Sequence, residues 1–422
     1  MTAGNVDQRS ELARAGGRNV DQRSELARAG GRSRSLHELA RERVQAGERF
    51  FGAEADRIAR LCHRMAERFA RDGRLVALGH APADRSDARH VAVEFVHPVI
   101  VGKRALPAMA LAGEGGPLRA QVELLAEPGD IVIAFGADDE ALALAAGRGC
   151  LTIGFVPGAA EWVFEPPGDA FVRQELVETL YHVLWELVHV FFDHRGLLEG
   201  RQARAVHDTG ASSFLYPFLA EREDDLDAVL ADVSASVLMK ARETAELREQ
   251  TLVGNAAVLA GAAADLGASF AAGGRLLALG NGGSATDAMD AVADFRTPLG
   301  GGPARPALDL TEDAAILTAI ANDIGPEAMF ARQVIAYGRA GDVLLALSTS
   351  GTSASVIAAL AEARRRDMRT IAMVGYDGGR VAADKLADHV VVTRSEHIPR
   401  IQEAQASAYH ALRSLVEEGG PA

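Results

Sequence analysis

Residues 280–295 read GNGGSATDAMDAVADF. A short apolar run, RLLALG, ends at Gly280, and a Gly/Ser turn then feeds a helical pattern. Such a junction suits an anion, because turn N–H groups and the helix dipole converge on one spot. A second junction follows DVLLA: STSGTSAS at 348–355, where Ser348, Thr349, Ser350 and Ser353 add hydroxyl donors. The GxGxxA pattern of the first turn also occurs in dinucleotide folds. No acid stands about 20 residues beyond the turn, where a ribose site needs one, and the Ser/Thr-dense loop favours one compact phosphate. No nucleotide cofactor is expected.

The same pattern occurs twice in the chain. GRLVALG (73–79) matches GRLLALG (274–280), and DARHVAVEF (87–95) matches DAMDAVADF (287–295). GDIVIAFG (129–136) matches GDVLLALS (341–348), and VRQELVETLYH (172–182) matches RIQEAQASAYH (400–410). Two copies of one fold therefore lie about 200 residues apart. The second carries an insertion, TEDAAILTAIANDIGPEAMFARQV, where the first has the shorter AGEGGPLRAQVELLAE. Continuous apolar runs between helical patterns predict parallel sheets covered on both faces. Each copy is expected to be an α/β domain, a parallel sheet between two layers of helices.

The expected limits are 36–200 for the first domain and 226–422 for the second, joined by a linker at 201–225. NVDQRSELARAGGR at 5–18 is repeated without change at 19–32, too polar to bury a core, so 1–35 is expected to be a disordered tail.

A chain of 422 residues is long enough for two or three domains. Its formal charge of −14 argues against nucleic acid or an anionic membrane as partner. Two distant cysteines, Cys62 and Cys150, fit a reducing compartment and exclude a cysteine-based zinc site. No apolar run approaches a membrane span, and the N-terminus lacks a signal-peptide core. A soluble, cytoplasmic protein is the expectation.

Residues from about 225 to 420 resemble the SIS (sugar isomerase) domain, and within it the phosphoheptose isomerase family. GNGGSATDA, LTEDAAILTAIANDIG, GRAGDVLLALSTSGTSASVI and IPRIQEAQASAYH carry the resemblance. It implies a flavodoxin-like fold, a homo-oligomer with sites at subunit interfaces, and isomerisation of sedoheptulose 7-phosphate to an aldoheptose 7-phosphate, commonly with zinc. By that resemblance, phosphate would sit on Ser348, Thr349, Ser350 and Ser353. Asn281, Gly282, Ser284 and Asp323 would line the sugar.

The family's metal and acid/base set is a His and a Glu one helical turn apart, plus a Gln and a His eight residues apart. In the second copy Gln402 and His410 match, but Asp290 and Asp294 stand in place of the His and Glu. In the first copy all four types are present, as His90, Glu94, Gln174 and His182. Its phosphate loops are gone, however: GHAPADRS replaces GNGGSAT, and GADD replaces STSG. Asp138 and Asp139 there would repel a phosphate.

The copies are complementary, which predicts composite sites across their interface or between chains. Glu94 and His182, or Asp294 and His410, would be the catalytic pairs. Zinc would be held by His90, Glu94, Gln174 and His182, or by Asp290, Asp294, Gln402 and His410. Lys103 and Arg104 could add positive charge near the junction. Two readings stay open: a sugar-phosphate isomerase working by enediol proton transfer, or a non-catalytic sugar-phosphate-binding regulator or scaffold.

Overall fold

The computed structural model describes residues 35–99, 103–112, 115–193, 198, 225–298 and 302–419. The repeat at 5–32 and nearly all of the linker expected at 201–225 lie outside the described residues. Leu36–Ala422 forms one compact unit holding two five-stranded sheets.

In the first copy the order is α1 (Leu36–Ala70), β1 (Leu75–Leu78), α2 (Pro82–Val96), β2 (Ala108–Leu111), α3 (Leu118–Leu125) and β3 (Ile131–Ala134). It continues with α4 (Asp139–Gly147), β4 (Leu151–Gly154), β5 (Trp162–Val163) and α5 (Ala170–Asp193). The second copy opens with α6 (Leu226–Gly254), α7 (Ala256–Ala271), β6 (Leu276–Leu279), α8 (Gly283–Arg296) and β7 (Ala307–Asp309). The insertion supplies α9 (Ala314–Asp323), and α10 (Met329–Tyr337) follows. Then come β8 (Val343–Ser348), α11 (Ala354–Arg365), β9 (Arg369–Gly375), α12 (Gly379–Ala383), β10 (His389–Thr393) and α13 (Ile398–Gly419).

All strand pairings are parallel, ordered β2-β1-β3-β4-β5 and β7-β6-β8-β9-β10. This is the doubly wound order 2-1-3-4-5, which places ligand sites at the carboxyl ends of the strands. Both expected domains are thus α/β sandwiches with covered parallel sheets. The repeated Gly-Asp pair shows how local sequence sets this register. Gly129 and Gly341 take positive φ, at 99° and 86°, in the turn before β3 and β8. The next residue then clamps the start of the neighbouring strand: Asp130 Oδ1 accepts from Arg74 N at 2.8 Å, and Asp342 Oδ1 from Arg275 N at 2.9 Å.

The long helices tie the copies together. Helix α1 starts in the second copy's core through Leu36, Leu39 and Ala40, then crosses into the first copy's core from Ala46 to Phe69. Helix α6 runs the other way, with Val229, Val233 and Val237 in the first core and Leu252 in the second. Each large side chain so buried contributes about 1.5–3 kcal/mol. Pulling the copies apart would expose this shared set. Among the described residues no single helix is long and apolar enough to cross a membrane.

Candidate active site

The second copy keeps an open cradle at the carboxyl ends of β6 and β8. Its cavity, about 410 Å³, is lined by Asn281, Ser284, Ser348, Thr349, Ser350 and Ser353, joined by Glu327. That volume lies within the usual range for small-ligand sites. The loop is prearranged from within: Asn281 Nδ2 donates to Ser353 Oγ at 3.0 Å, and Gly351 N donates to Ser348 Oγ at 3.2 Å. Gly351, at φ 61°, has the Gly378 backbone where a side chain would begin, so only glycine fits this bend. Ala354 and Ser355, at the N-terminus of α11, line the same cavity, and a helix N-terminus favours an anion.

His90 and Glu94 on α2 and His182 on α5, all from the first copy, form a buried cluster whose ligand atoms lie within 4.8 Å of one another. The Nε2 atoms of the two histidines are 3.3 Å apart. His182 Nδ1 lies 3.0 Å from Glu403 Oε1; a carboxylate can only accept, so Nδ1 carries the proton and Nε2 faces the cluster. Burial, with His182 beside it, lowers the His90 pKa well below the usual value, so its ring is neutral. Burial raises the Glu94 carboxyl to about 7, with His182 opposing and Glu186 reinforcing the shift.

The glutamine of this set comes from the other copy. Gln402 Nε2 donates to His90 Nε2 at 3.0 Å, whereas Gln174 Nε2 donates to Asp290 Oδ1 at 2.8 Å. The structure therefore corrects the grouping expected from sequence: the two glutamines exchange places. The reason is geometric, since α5 and α13 each face across the interface.

The outer carboxylates exchange in the same way. Glu403 of the second copy holds His182 of the first, and Glu175 of the first holds His410 of the second, with Nδ1 to Oε1 at 2.9 Å. Arg400 anchors Glu403, and Arg43 anchors Glu175. Burial would raise both carboxyls; Arg400 and His182 hold Glu403 below its usual value, and Arg43 and His410 do so for Glu175.

The two assemblies touch different surroundings. A Cβ added at Gly283, the first residue of α8 and a neighbour of cradle residue Ser284, would lie 2.7 Å from His90 Nε2 and closer still to Gln402 Nε2. The His90 cluster therefore packs against the first turn of α8, one residue from the cradle. The residues also suit a metal ion. Two imidazole nitrogens, Glu94 and an amide converge, and Glu94 Oε2 and Gln402 Oε1 are buried with no hydrogen-bond partner.

The Asp290, Asp294 and His410 cluster has a different character. Asp290 accepts from Gln174, from Tyr409 Oη at 2.8 Å and from Ser86 Oγ at 3.3 Å. His410 Nε2 lies 3.4 Å from a carboxylate oxygen of both Asp290 and Asp294. Burial would lower the His410 pKa, but Asp294, Asp290 and Glu175 together raise it to about 10. The Phe171 ring stacks on His410 at 4.7 Å. In the adjoining first-copy loop, a Cβ at Gly136 would meet Asp84 Oδ2 at 2.5 Å, so a carboxylate fills the place where the second copy has its serine loop.

Several expected residues lie elsewhere. Asp323 is exposed at the end of α9, beside Asn322, and does not line the cradle; Glu327 does. Gly282 sits just before α8 at φ 59°, shaping the turn without lining the cavity. Lys103 reaches the Glu186 carbonyl and the Trp185 ring, and neither it nor Arg104 lines the cradle. Glu175 and Glu403 were overlooked in the sequence, although each follows its glutamine in the repeated QE pair.

The SIS domain family matches residues 241–375. A phosphoheptose isomerase from Chlorobium phaeobacteroides is 44% identical over 198 residues, covering 46% of this chain and 85% of that protein. The C-terminal domain of glucosamine-fructose-6-phosphate aminotransferase from Francisella tularensis superimposes with a TM-score of 0.57 at 10% identity, covering 92% of this chain and 96% of that one. Tagatose-6-phosphate ketose/aldose isomerase from Escherichia coli gives 0.55 at 15% identity, covering 92% and 95%. At those identities the two structures show that the whole tandem fold is shared.

Proposed function

We propose that this chain, which belongs to the phosphoheptose isomerase family of SIS-domain proteins, isomerises a ketose phosphate to an aldose phosphate at one centre built by both copies. The observation that carries the proposal is the contact at Gly283. It joins the second copy's phosphate cradle to His90 of the first copy and Gln402 of the second. Neither copy holds both halves, and the half-sites that do not adjoin the cradle have become an ion-paired cluster around His410.

In this reading the phosphate rests on Ser348, Thr349, Ser350 and Ser353 and at the N-terminus of α11, with Asn281 and Ser284 beside the sugar. The carbonyl end of the chain reaches the His90 cluster. Glu94, its carboxyl raised to about 7 by burial, is the base that removes the proton from C1 of the ketose and returns it to C2, while the O1 hydroxyl proton passes to O2. His182, its Nδ1 tied to Glu403, presents Nε2 to the sugar oxygens or to a metal. His90, Glu94, His182 and Gln402 would hold a divalent ion, zinc by the family's habit, which when bound polarises the carbonyl and stabilises charge on its oxygen. Asp290, Asp294, Gln174 and His410 take no part in the chemistry in this proposal; they hold the two copies together.

The test is turnover of sedoheptulose 7-phosphate by the full chain, with and without zinc. Formation of an aldoheptose 7-phosphate supports the proposal. Binding of the sugar phosphate without turnover would leave a binding protein rather than an enzyme.

A further inference from the structure

Beside His90, between the two copies, lies a small recess of about 10 Å³, close to one water or one small ion. Its lining comes from both copies: Ser86 and Thr286, Asp87 and Asp287, His90 and Asp290 at matching positions. Gln174, Tyr181 and Tyr409 complete it with Glu178. Four of these are carboxylates and none is lysine or arginine. All four carboxylates are buried, with Glu178 at 4% and Asp287 at 2% exposure.

Hydrogen bonds satisfy only part of this group. Tyr181 Oη donates to Asp87 at 3.3 Å, and Asp290 has its three donors. Glu178 Oε1 and Asp287 Oδ2 have no partner. Arg248, whose charge bears on Glu178, is bonded instead to the Glu175 carbonyl and Thr179. Two buried, unpartnered carboxylate oxygens facing one ion-sized space are costly unless something positive lies between them.

We propose that this space is a second cation site, for a hard divalent ion held by Glu178 and Asp287, with Asp87 and Asp290 adding negative charge around it. Donor oxygens of Glu178 and Asp287 lie within 4.8 Å of one another, and His90 Nδ1 lies 3.6 Å from Asp287 Oδ1. Oxygen ligands on opposite sides of an ion, at about 2.0–2.4 Å each, are separated by about that span. An oxygen-rich set suits Mg²⁺ or Mn²⁺, whereas the nitrogen-rich cluster at His90 Nε2 suits zinc. The two sites would lie on either side of one imidazole ring.

Glu178 is the residue that sets the site apart. Its counterpart in the second copy is Ala406, so the shared fold does not require a carboxylate there. Without an ion, burial pushes both carboxyls well above the usual range, reinforced at Glu178 by Asp287 and at Asp287 by Asp290 and Glu94, and a shared proton would take the ion's place. That is the competing account.

Mn²⁺ titration of the chelator-stripped full chain, followed by the EPR signal of the free ion, separates the two. The site shares His90 with the zinc-type cluster, so the readout is stoichiometry rather than turnover. Glu178→Ala is expected to bind one equivalent fewer than the unaltered protein, and His182→Ala to keep that equivalent. Glu178→Gln, which preserves the side-chain volume, is expected to weaken it by at least about tenfold, and serves if the alanine variant does not fold. Mn²⁺ stoichiometry and affinity unchanged by substitution at Glu178 would overturn the proposal. So would the absence of any equivalent that survives His182→Ala.

Discussion

Gly283→Ala adds a single methyl group at the join between the copies. The new Cβ would stand 2.7 Å from His90 Nε2 and nearer still to Gln402 Nε2. Unbonded heavy atoms settle at about 3.5 Å, so His90 must move by roughly 0.8 Å and Gln402 by more. Neither has room: His90 packs against the rings of Tyr181 and His182, and both residues are buried. Gly283 is not in the left-handed region, so alanine adopts its backbone without strain and the effect is purely one of space. Overpacking of this kind costs about 1–3 kcal/mol of stability, and a displacement near 1 Å beside the reacting atoms about 100-fold in rate. The expected result is a folded protein with a modestly lower melting temperature. Its kcat/KM for the sugar phosphate should fall by about 100-fold, and its zinc affinity should drop as well. The matching position in the first copy, Ala83, already carries a Cβ; Ser86 caps its carbonyl as Thr286 caps that of Gly283. Ala83→Gly should leave turnover nearly unchanged. A Gly283→Ala variant with full turnover and full zinc binding would refute the composite site.

Glu94 must be ionised to act as a base, so without a bound ion kcat/KM should rise with pH through about 7 and then level off, and an added divalent ion should move that rise to lower pH. A carboxyl raised by folding loses stability as pH climbs from its unfolded value, near 4.5, through 7; Glu94→Gln should therefore be inactive yet melt higher than the unaltered protein above pH 7. Glu403→Gln removes the charge that orients His182, and calorimetric titration with zinc should show an affinity about 10- to 100-fold weaker with the fold intact. His410 is raised to about 10, so its contribution to stability is complete below about 6.5 and is lost as pH rises through 10. Thermal melts across that range should fall more steeply for the unaltered chain than for His410→Gln.

Sequence patterning carried the sheets, the duplication and the cradle, because each rests on local contrasts: apolar runs of strand length, Gly/Ser turns, repeated Gly-Asp pairs. The complementarity of the copies was legible too, since His90 and Glu94 stand where the second copy has Asp290 and Asp294. The exchange of Gln174 and Gln402 was not. Both sit at the same place in identical spacings, and only the packing of α5 and α13 across the interface decides which partner each meets. Asp323 went astray for a related reason: α9 has no buried residue to fix its orientation from sequence, and its last turn faces outward. Glu178 was invisible because nothing in VRQELVETLYH marks that one acid as facing Asp287 of the other copy.

Paired isosteric changes test the central claim most directly, by measuring ketose–aldose turnover in Glu94→Gln and in Asp294→Asn. These residues occupy matching positions in the two copies, one beside the cradle and one in the ion-paired cluster around His410. One composite centre per chain predicts that Glu94→Gln abolishes turnover while Asp294→Asn retains most of it. Comparable loss in both variants, or activity surviving in Glu94→Gln, would contradict it.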